Sequence, residues 1–345
     1  MALGGDAGGS EAQQAGADSA SAHGHIQATC RICGASGEFP VWRAREMLHG
    51  MGDEFDYFEC LACGCVQIAE IPADLSRFYP GDYFSFRSQR RLAGNAVRRF
   101  IDPRRVRRAF GRPDALGAIA EAVSRPFDYV RWVKDAGLGP GARVLDIGCG
   151  AGKTLINMAL GGFPNPTGVD PFVGETLRYA CGVTIHKAEL ADFARAHAGG
   201  FDFIMLHHSL EHMIDPLATL ACVEALLAPG GRVLVAIPVA DSWAWRHYRE
   251  HWFALDPPRH IHLLTTLALE ILARKAGLKI LRRRQQGNLS QFTGSERYRQ
   301  GIAMSEGPRA KQMFSRGQLK AWAARASELN AREEADLVTF TLGRP

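Results

Sequence analysis

An α/β fold with a doubly wound, mainly parallel sheet is what this 345-residue sequence predicts, and three observations predict it. From Ala142 onward, short β-branched and apolar runs alternate with helical patterns, as repeated βα units do. Seven runs of strand character can be picked out, enough for a complete sheet. The first of them, Val144-Leu145-Asp146-Ile147, passes directly into Gly148-Cys149-Gly150-Ala151-Gly152, a strand-to-helix turn at the edge where open α/β sheets bind ligands.

Length and composition set the frame. The chain is long enough for one α/β domain and a smaller module, and with 46% hydrophobic and 22% charged residues it can bury a substantial core. Residues 1–28, rich in Gly, Ala, Ser and Gln, read as a disordered tail without the basic start or apolar centre of a secretory signal. No apolar run approaches the roughly 18 to 20 residues that cross a bilayer, so the expected location is cytoplasmic.

Residues 29–71 read as a compact module stapled by metal. Cys30-Arg31-Ile32-Cys33-Gly34 and Cys60-Leu61-Ala62-Cys63-Gly64 are two knuckles, each presenting a pair of thiolates while the following glycine permits a tight turn. Four thiolates, from Cys30, Cys33, Cys60 and Cys63, complete a tetrahedral zinc and leave no position for water, so the expected ion is structural. Cys65 competes with Cys63 for the fourth place.

Residues 72–131 read as a connector. It holds the aromatic segment Phe78-Tyr79-Pro80-Gly81-Asp82-Tyr83-Phe84, then Arg87, Arg90, Arg91, Arg98, Arg99, Arg104, Arg105, Arg107, Arg108 and Arg112, then a helical pattern from Ala115 to Lys134. Three readings of the arginines stay open: contact with nucleic-acid phosphates, a solvated helix face, or attraction to phosphate-bearing small molecules or an anionic membrane surface.

The main domain spans residues 132–345. Its strands are placed at Arg143 to Ile147, Pro166 to Asp170, Val183 to His186, Phe201 to His207, Gly231 to Ile237, Leu278 to Arg284 and Leu337 to Leu342. Helices are placed at Thr154 to Leu160, Glu175 to Ala180, Pro216 to Leu227 and Thr266 to Ala276, with Pro229-Gly230-Gly231 closing the third. A polar insertion, about 287–334, ends in a helix near Ser315 to Arg332.

Two common glycine-loop chemistries are excluded at the turn. Gly152-Lys153-Thr154 supplies the ending of a P-loop, but the position five residues before Gly152 is Ile147. The dinucleotide pattern requires a third glycine where Lys153 stands. A turn without a ligand is disfavoured, since three glycines weaken a helix start by about 1 kcal/mol each. Asp170 ends the next strand some twenty residues on, where a carboxylate can accept both hydroxyls of a ribose.

The spacing Gly148-x-Gly150-x-Gly152 after Asp146 resembles motif I of class I S-adenosylmethionine-dependent methyltransferases. With Gly168-Val169-Asp170, Phe201-Asp202, Leu210-Glu211-His212 and Leu227-Ala228-Pro229-Gly230-Gly231, the stretch from Val144 to about Ile280 is similar to the group containing ubiquinone-pathway O-methyltransferases and methyltransferases of sugars and surface polysaccharides. The resemblance implies a Rossmann-like seven-stranded methyltransferase sheet in order 3-2-1-4-5-7-6, with an antiparallel last strand. It implies S-adenosylmethionine as cofactor, held by Asp146, Gly148, Gly150, Gly152 and Asp170, with Glu189 and Leu190 bracketing the adenine and His207 near the methionine end. The cysteine module, with the aromatic segment after it, resembles the amino-terminal zinc-binding domain of some sugar and small-molecule methyltransferases.

Methyl transfer is an in-line displacement, so alignment of the acceptor dominates and a base helps only when a proton must leave. His207, His208, His212 and His260 are the candidate bases. In the ubiquinone-pathway group a Glu-x-x-Glu-His pattern is associated with a divalent ion; His208 stands where the first Glu would be, which argues against a catalytic magnesium. The segment Trp252-Phe253-Ala254-Leu255-Asp256-Pro257-Pro258-Arg259-His260 resembles a wall of the acceptor site in small-molecule members and implies Arg259 and His260 as substrate contacts. The expected function is methyl transfer to a small molecule, with a phosphate-bearing acceptor such as a sugar nucleotide or a surface-glycan precursor in polysaccharide biosynthesis. The alternatives are an rRNA methyltransferase with a zinc ribbon and a noncatalytic zinc-ribbon adaptor.

Overall fold

The structure is a computed structural model that describes residues 22–80, 84–87, 89–123 and 127–345. Residues 1–21 of the expected tail, and Gly81, Asp82 and Tyr83 of the aromatic segment, lie outside the described residues. The strands are β1 Gly24–Thr29, β2 Ser36–Arg45, β3 Glu54–Glu59, β4 Val66–Ile68, β5 Val144–Ile147, β6 Thr167–Val169, β7 Leu177–Arg178, β8 Thr184–His186, β9 Phe201–His207, β10 Leu227–Pro238, β11 His262–Leu263, β12 Lys279–Gln285 and β13 Leu337–Gly343.

Eight of these form the main sheet, in the order β12-β13-β10-β9-β5-β6-β8-β7. From β10 to β8 the strands are parallel, while β13 runs antiparallel between β10 and β12. Val144 to Ile147 and Val233 to Ile237 are buried along their whole length, the pattern of strands covered on both faces. This burial fixes the carboxyl ends of β5, β6 and β9 at one edge, which is where the candidate residues gather.

The sheet has one strand more than the seven expected. The extra strand, β7, falls where a helix over Glu175 to Ala180 was expected. Leu177 is half-buried and Tyr179 buried, while Arg178 and Ala180 are exposed, so the short segment follows a period of two and pairs antiparallel with β8. The helical pattern over Ala115 to Lys134 resolves into two helices, Ala115–Val123 and Asp128–Asp135.

Two boundaries also move. The supposed tail contributes β1, because Gly24–Thr29 pairs along β2 from Gly24↔Val41 to Thr29↔Ser36. The insertion near 287–334 is less polar in its packing than in its composition. Its helix Ser290–Arg299 buries Phe292 and Tyr298, and Phe292 stacks on Trp322 of the helix Arg316–Ala331 with ring centroids 6.0 Å apart.

The amino-terminal module is a second sheet, in the order β1-β2-β3-β4-β11. Its last strand comes from the main domain: His262 pairs with Gln67 and Leu263 with Val66. Cys30, Ile32, Phe39, Phe58 and Cys60 share one apolar core with Leu264, Leu269 and Leu272 of the main domain. The module has too little apolar surface to form a core alone and borrows one.

Candidate active site

All three glycines of the turn after β5 take left-handed backbone angles, with φ of +71° at Gly148, +53° at Gly150 and +75° at Gly152. A side chain is strained in that region, and it would also collide. A Cβ on Gly148 would lie 2.7 Å from Ser209 Cβ, and one on Gly150 would lie 2.4 Å from the carbonyl oxygen of Ser85. The turn is therefore pressed between the segment after β9 and the segment Phe84–Phe86, whose Ser85 carbonyl accepts the Ala151 amide at 2.7 Å.

Asp170 holds this turn in place. One carboxylate oxygen accepts the Gly150 amide at 2.8 Å and the other accepts the Phe172 amide at 2.9 Å. Each oxygen keeps a further lone pair, which is what binding two neighbouring hydroxyls requires. Burial pushes the Asp170 carboxyl up while the amides of Phe172 and Gly150 draw it down. Asp146, on β5, is buried and pushed up by burial and by the charge of Asp170. Glu189 precedes the helix Leu190–Ala196 and is exposed, while Leu190 is half-buried against the core. A cleft of about 640 Å³ opens beside Ala151 and is lined by Phe86, Arg90, Phe172 and Tyr179.

Four residues after β9 ends lies a buried carboxylate, Glu211, with 1% of its surface exposed and no hydrogen-bond partner on either oxygen. His208 Nδ1 is 3.4 Å from Glu211 Oε1 and His260 Nε2 is 4.0 Å from it, neither in hydrogen-bond geometry. Burial raises the Glu211 carboxyl, but the imidazoles of His208, His212 and His260 outweigh it and hold it at about 2. Glu211, His212 and His260 each offer a ligand atom within 4.8 Å of the others.

The two imidazoles are set by backbone carbonyls. His212 Nδ1 lies 2.8 Å from the Arg259 carbonyl oxygen and His260 Nδ1 lies 2.7 Å from that of Ala254. A carbonyl only accepts, so both Nδ1 atoms carry hydrogen, and in the neutral ring each Nε2 then presents the lone pair. The rings meet edge to face at 4.7 Å, and the Tyr79 hydroxyl is 3.3 Å from His212 Nδ1. His208 sits beside this pair with φ +56° and a side chain 43% exposed. His207 packs instead against Trp132, with ring centroids 4.7 Å apart and planes tilted by 39°, and burial lowers its imidazole to about 4.

Arg259 does not face an acceptor. Its side chain is wholly buried, with Nε donating to Asp256 Oδ2 at 3.0 Å, Nη2 to Asp256 Oδ1 at 2.7 Å and to Glu46 Oε1 at 2.8 Å, and Nη1 to the Phe78 carbonyl at 3.3 Å. A desolvated guanidinium needs such partners, and it has no surface left for a substrate. Its partners tie the loop that carries His260 to Glu46 of the amino-terminal module.

A family model described as "Methyltransferase domain" matches residues 115–283. The ubiquinone biosynthesis O-methyltransferase of Thiobacillus denitrificans is 33% identical over 163 residues, which cover 44% of this chain and 70% of that protein. The chain belongs to the methyltransferase-domain family. The ubiquinone biosynthesis O-methyltransferase of Aromatoleum aromaticum is 40% identical over 132 residues, covering 36% of this chain and 53% of that protein. This methyltransferase-domain chain thus spans about half the length of the first curated relatives it matches. A solved S-adenosylmethionine-dependent methyltransferase from Archaeoglobus fulgidus is similar at 15% identity and a TM-score of 0.41, over 67% of this chain and 100% of that one.

The cysteine module lies outside the matched stretch, yet in this methyltransferase-domain protein it packs against the segment that carries His260 and His262. Tyr57 donates to the His260 carbonyl at 2.8 Å, Arg31 Nε lies 3.1 Å from His262 Nε2, and Ile261 donates its amide to the Glu211 carbonyl at 2.9 Å. The Sγ atoms of Cys30, Cys33, Cys60 and Cys63 converge within 4.8 Å, which fits a tetrahedral metal ion. The two knuckles are equivalent: Cys30 donates its amide to Ala35 and accepts from Gly34, as Cys60 does with Cys65 and Gly64. Cys65 is turned away, its thiol 3.7 Å from the Val66 carbonyl and pushed up by burial.

Sequence reasoning missed the residues that act across the fold. Tyr79 stood in a segment already marked by its aromatics, so a signal existed. Glu46 carried none, because its partner Arg259 lies 213 residues away.

Proposed function

We propose that this protein transfers the methyl group of S-adenosylmethionine to a hydroxyl oxygen of a small molecule, with Glu211, His212 and His260 receiving the proton that the acceptor loses. The observation that carries the reading is the buried Glu211 carboxylate, unpartnered and facing two imidazoles with bare Nε2 atoms, on the segment that abuts Gly148 of the cofactor turn. Asp170 takes the ribose hydroxyls, the backbone of the glycine turn lies against the donor, and Glu189 and Leu190 stand at the adenine end. His212 and His260 hold the acceptor hydroxyl in line with the methyl group and take its proton on Nε2.

In place of accepting the proton themselves, the same three residues fit a divalent ion, His260 replacing the ligand that His208 fails to supply, and a bound ion would lower the pKa of the acceptor hydroxyl. In the amino-terminal module, Cys30, Cys33, Cys60 and Cys63 hold a structural zinc. The relatives are named for ubiquinone biosynthesis and O-methyl transfer. A quinone-precursor type of acceptor therefore replaces the sugar nucleotide or surface glycan, and polysaccharide biosynthesis is set aside.

Formation of S-adenosylhomocysteine over hydroxylated aromatic acceptors, sugar nucleotides and rRNA tests this. Turnover with the aromatic set, abolished in Glu211→Gln and His260→Ala while donor affinity is kept, is the expected result. Turnover confined to sugar nucleotides or rRNA, or an unimpaired Glu211→Gln variant, overturns it.

A further inference from the structure

The arginine stretch is not used by the chemistry above. It forms a helical hairpin: Ala96–Ala109, begun by Asn95 accepting the Arg98 amide at 3.0 Å, and Ala115–Val123 folded back against it. The two helices touch closely, since a Cβ on Gly117 would lie 2.7 Å from the Arg104 carbonyl oxygen. One face of the first helix is committed to the domain. Asp102 and Val106 are buried, and Arg98, paired with Asp102 at 2.7 Å, donates to Asn157 Oδ1 at 2.9 Å on the helix that follows the glycine turn.

The hairpin also carries large apolar side chains in water. Val97 is 73% exposed, Phe100 53%, Leu116 48% and Ile119 66%. On the first helix Val97, Phe100, Arg104 and Arg108 recur at i, i+3, i+7 and i+11, which is one stripe of an α-helix. The Arg104 guanidinium lies over the face of the Phe100 ring, its Cζ 3.7 Å from the centroid, so a positive charge and an exposed aromatic share one spot on the stripe. From residue 87 to 112 the sequence carries ten arginines and a single acidic residue, Asp102, which is buried.

We propose that this hairpin face docks the protein on an anionic lipid surface, with Phe100, Ile119, Val97 and Leu116 entering the headgroup region and the arginines meeting lipid phosphates. Large apolar side chains gain by leaving water, and each arginine adds attraction to a negatively charged leaflet. Nucleic acid would be met by the arginines alone and gives no reason to expose four aliphatic and aromatic side chains among them. No helix among the described residues is long and apolar enough to cross a membrane, so the contact is peripheral. The hairpin is tied through Arg98 and Asn157 to the helix following the cofactor turn.

Flotation of the full chain with vesicles of equimolar phosphatidylglycerol and phosphatidylcholine tests the proposal. Binding is expected to weaken about tenfold or more on pure phosphatidylcholine, in high salt, in Arg104→Gln with Arg108→Gln, and in Phe100→Ser with Ile119→Ser. Donor affinity by calorimetry and the unfolding midpoint should stay at parent values, since these side chains lie outside the core. Absence of binding to the anionic vesicles overturns the proposal, as does full binding by the serine variant. Salt-sensitive binding to single-stranded RNA without vesicle binding, or a dimer that the serine variant splits while vesicle binding persists, overturns it in favour of those partners.

Discussion

Arg259 Nη2 and Glu46 Oε1 lie 2.8 Å apart with both side chains at 0% exposure, and the pair joins the amino-terminal module to the loop that carries His260. Glu46 also accepts the amides of Leu48, His49 and Met51, so its charge is compensated from both sides. Removing Glu46 leaves the three amides without their acceptor and Arg259 compensated by Asp256 alone. Glu46→Ala is expected to lose about 1 to 3 kcal/mol of stability in denaturant titration. A loss below about 1 kcal/mol would show that water reaches Arg259.

Cofactor affinity should depend on Asp170 and on the shape of the turn. Asp170→Ala removes the acceptors of the Gly150 and Phe172 amides as well as those for the ribose, and calorimetry should record donor binding at least about tenfold weaker. Gly150→Ala should do comparable damage without touching a charge, because φ +53° and the Ser85 carbonyl leave no room for the methyl group. Parent-like affinity in both variants would remove the turn from the donor site.

The His207 imidazole gives the fold a defined acid sensitivity. Burial, with His208 adding to it, lowers it from 6.5 to about 4. Below pH 6.5 the unfolded chain takes up a proton that the folded chain refuses until about pH 4. This residue's contribution is therefore complete above pH 6.5 and lost as the pH falls toward 4, with a ceiling of about 3 kcal/mol. Unfolding followed at pH 7 and pH 5 should show a smaller difference for His207→Asn than for the parent. Equal differences would mean that His207 titrates normally.

Metal content separates the cysteines. The purified chain is expected to hold one zinc in its amino-terminal module, lost in Cys63→Ala and kept in Cys65→Ala, as read by elemental analysis. The converse pattern would reassign the fourth ligand. Chelation should lower the unfolding midpoint, because the module's own core is small.

Local order explains what could be read in advance. The strand Val144 to Ile147, its glycines and the paired knuckles are adjacent in sequence, and their spacing carries their geometry. Six residues over Glu175 to Ala180 were too few to distinguish a period of 3.6 from one of two, and pairing with β8 decided the matter. The histidines could be collected by type but not sorted. Trp132 claims His207, the Ala254 carbonyl turns His260 toward Glu211, and neither contact has a signature in the intervening sequence. Arg259 shows the same limit, since its segment implied a substrate contact until Glu46 and Asp256 were found around it.

The pairing of Val66 and Gln67 with Leu263 and His262 also bears on how the chain is made. The two knuckle hairpins leave the ribosome before the main domain does, yet β4 has a bare edge until almost two hundred further residues have been synthesised. During that interval the module is an unfinished sheet, which a chaperone or a neighbouring nascent chain could cap. Its final strand arrives with the loop that bears His260, so the same event closes the sheet and brings His260 beside Glu211.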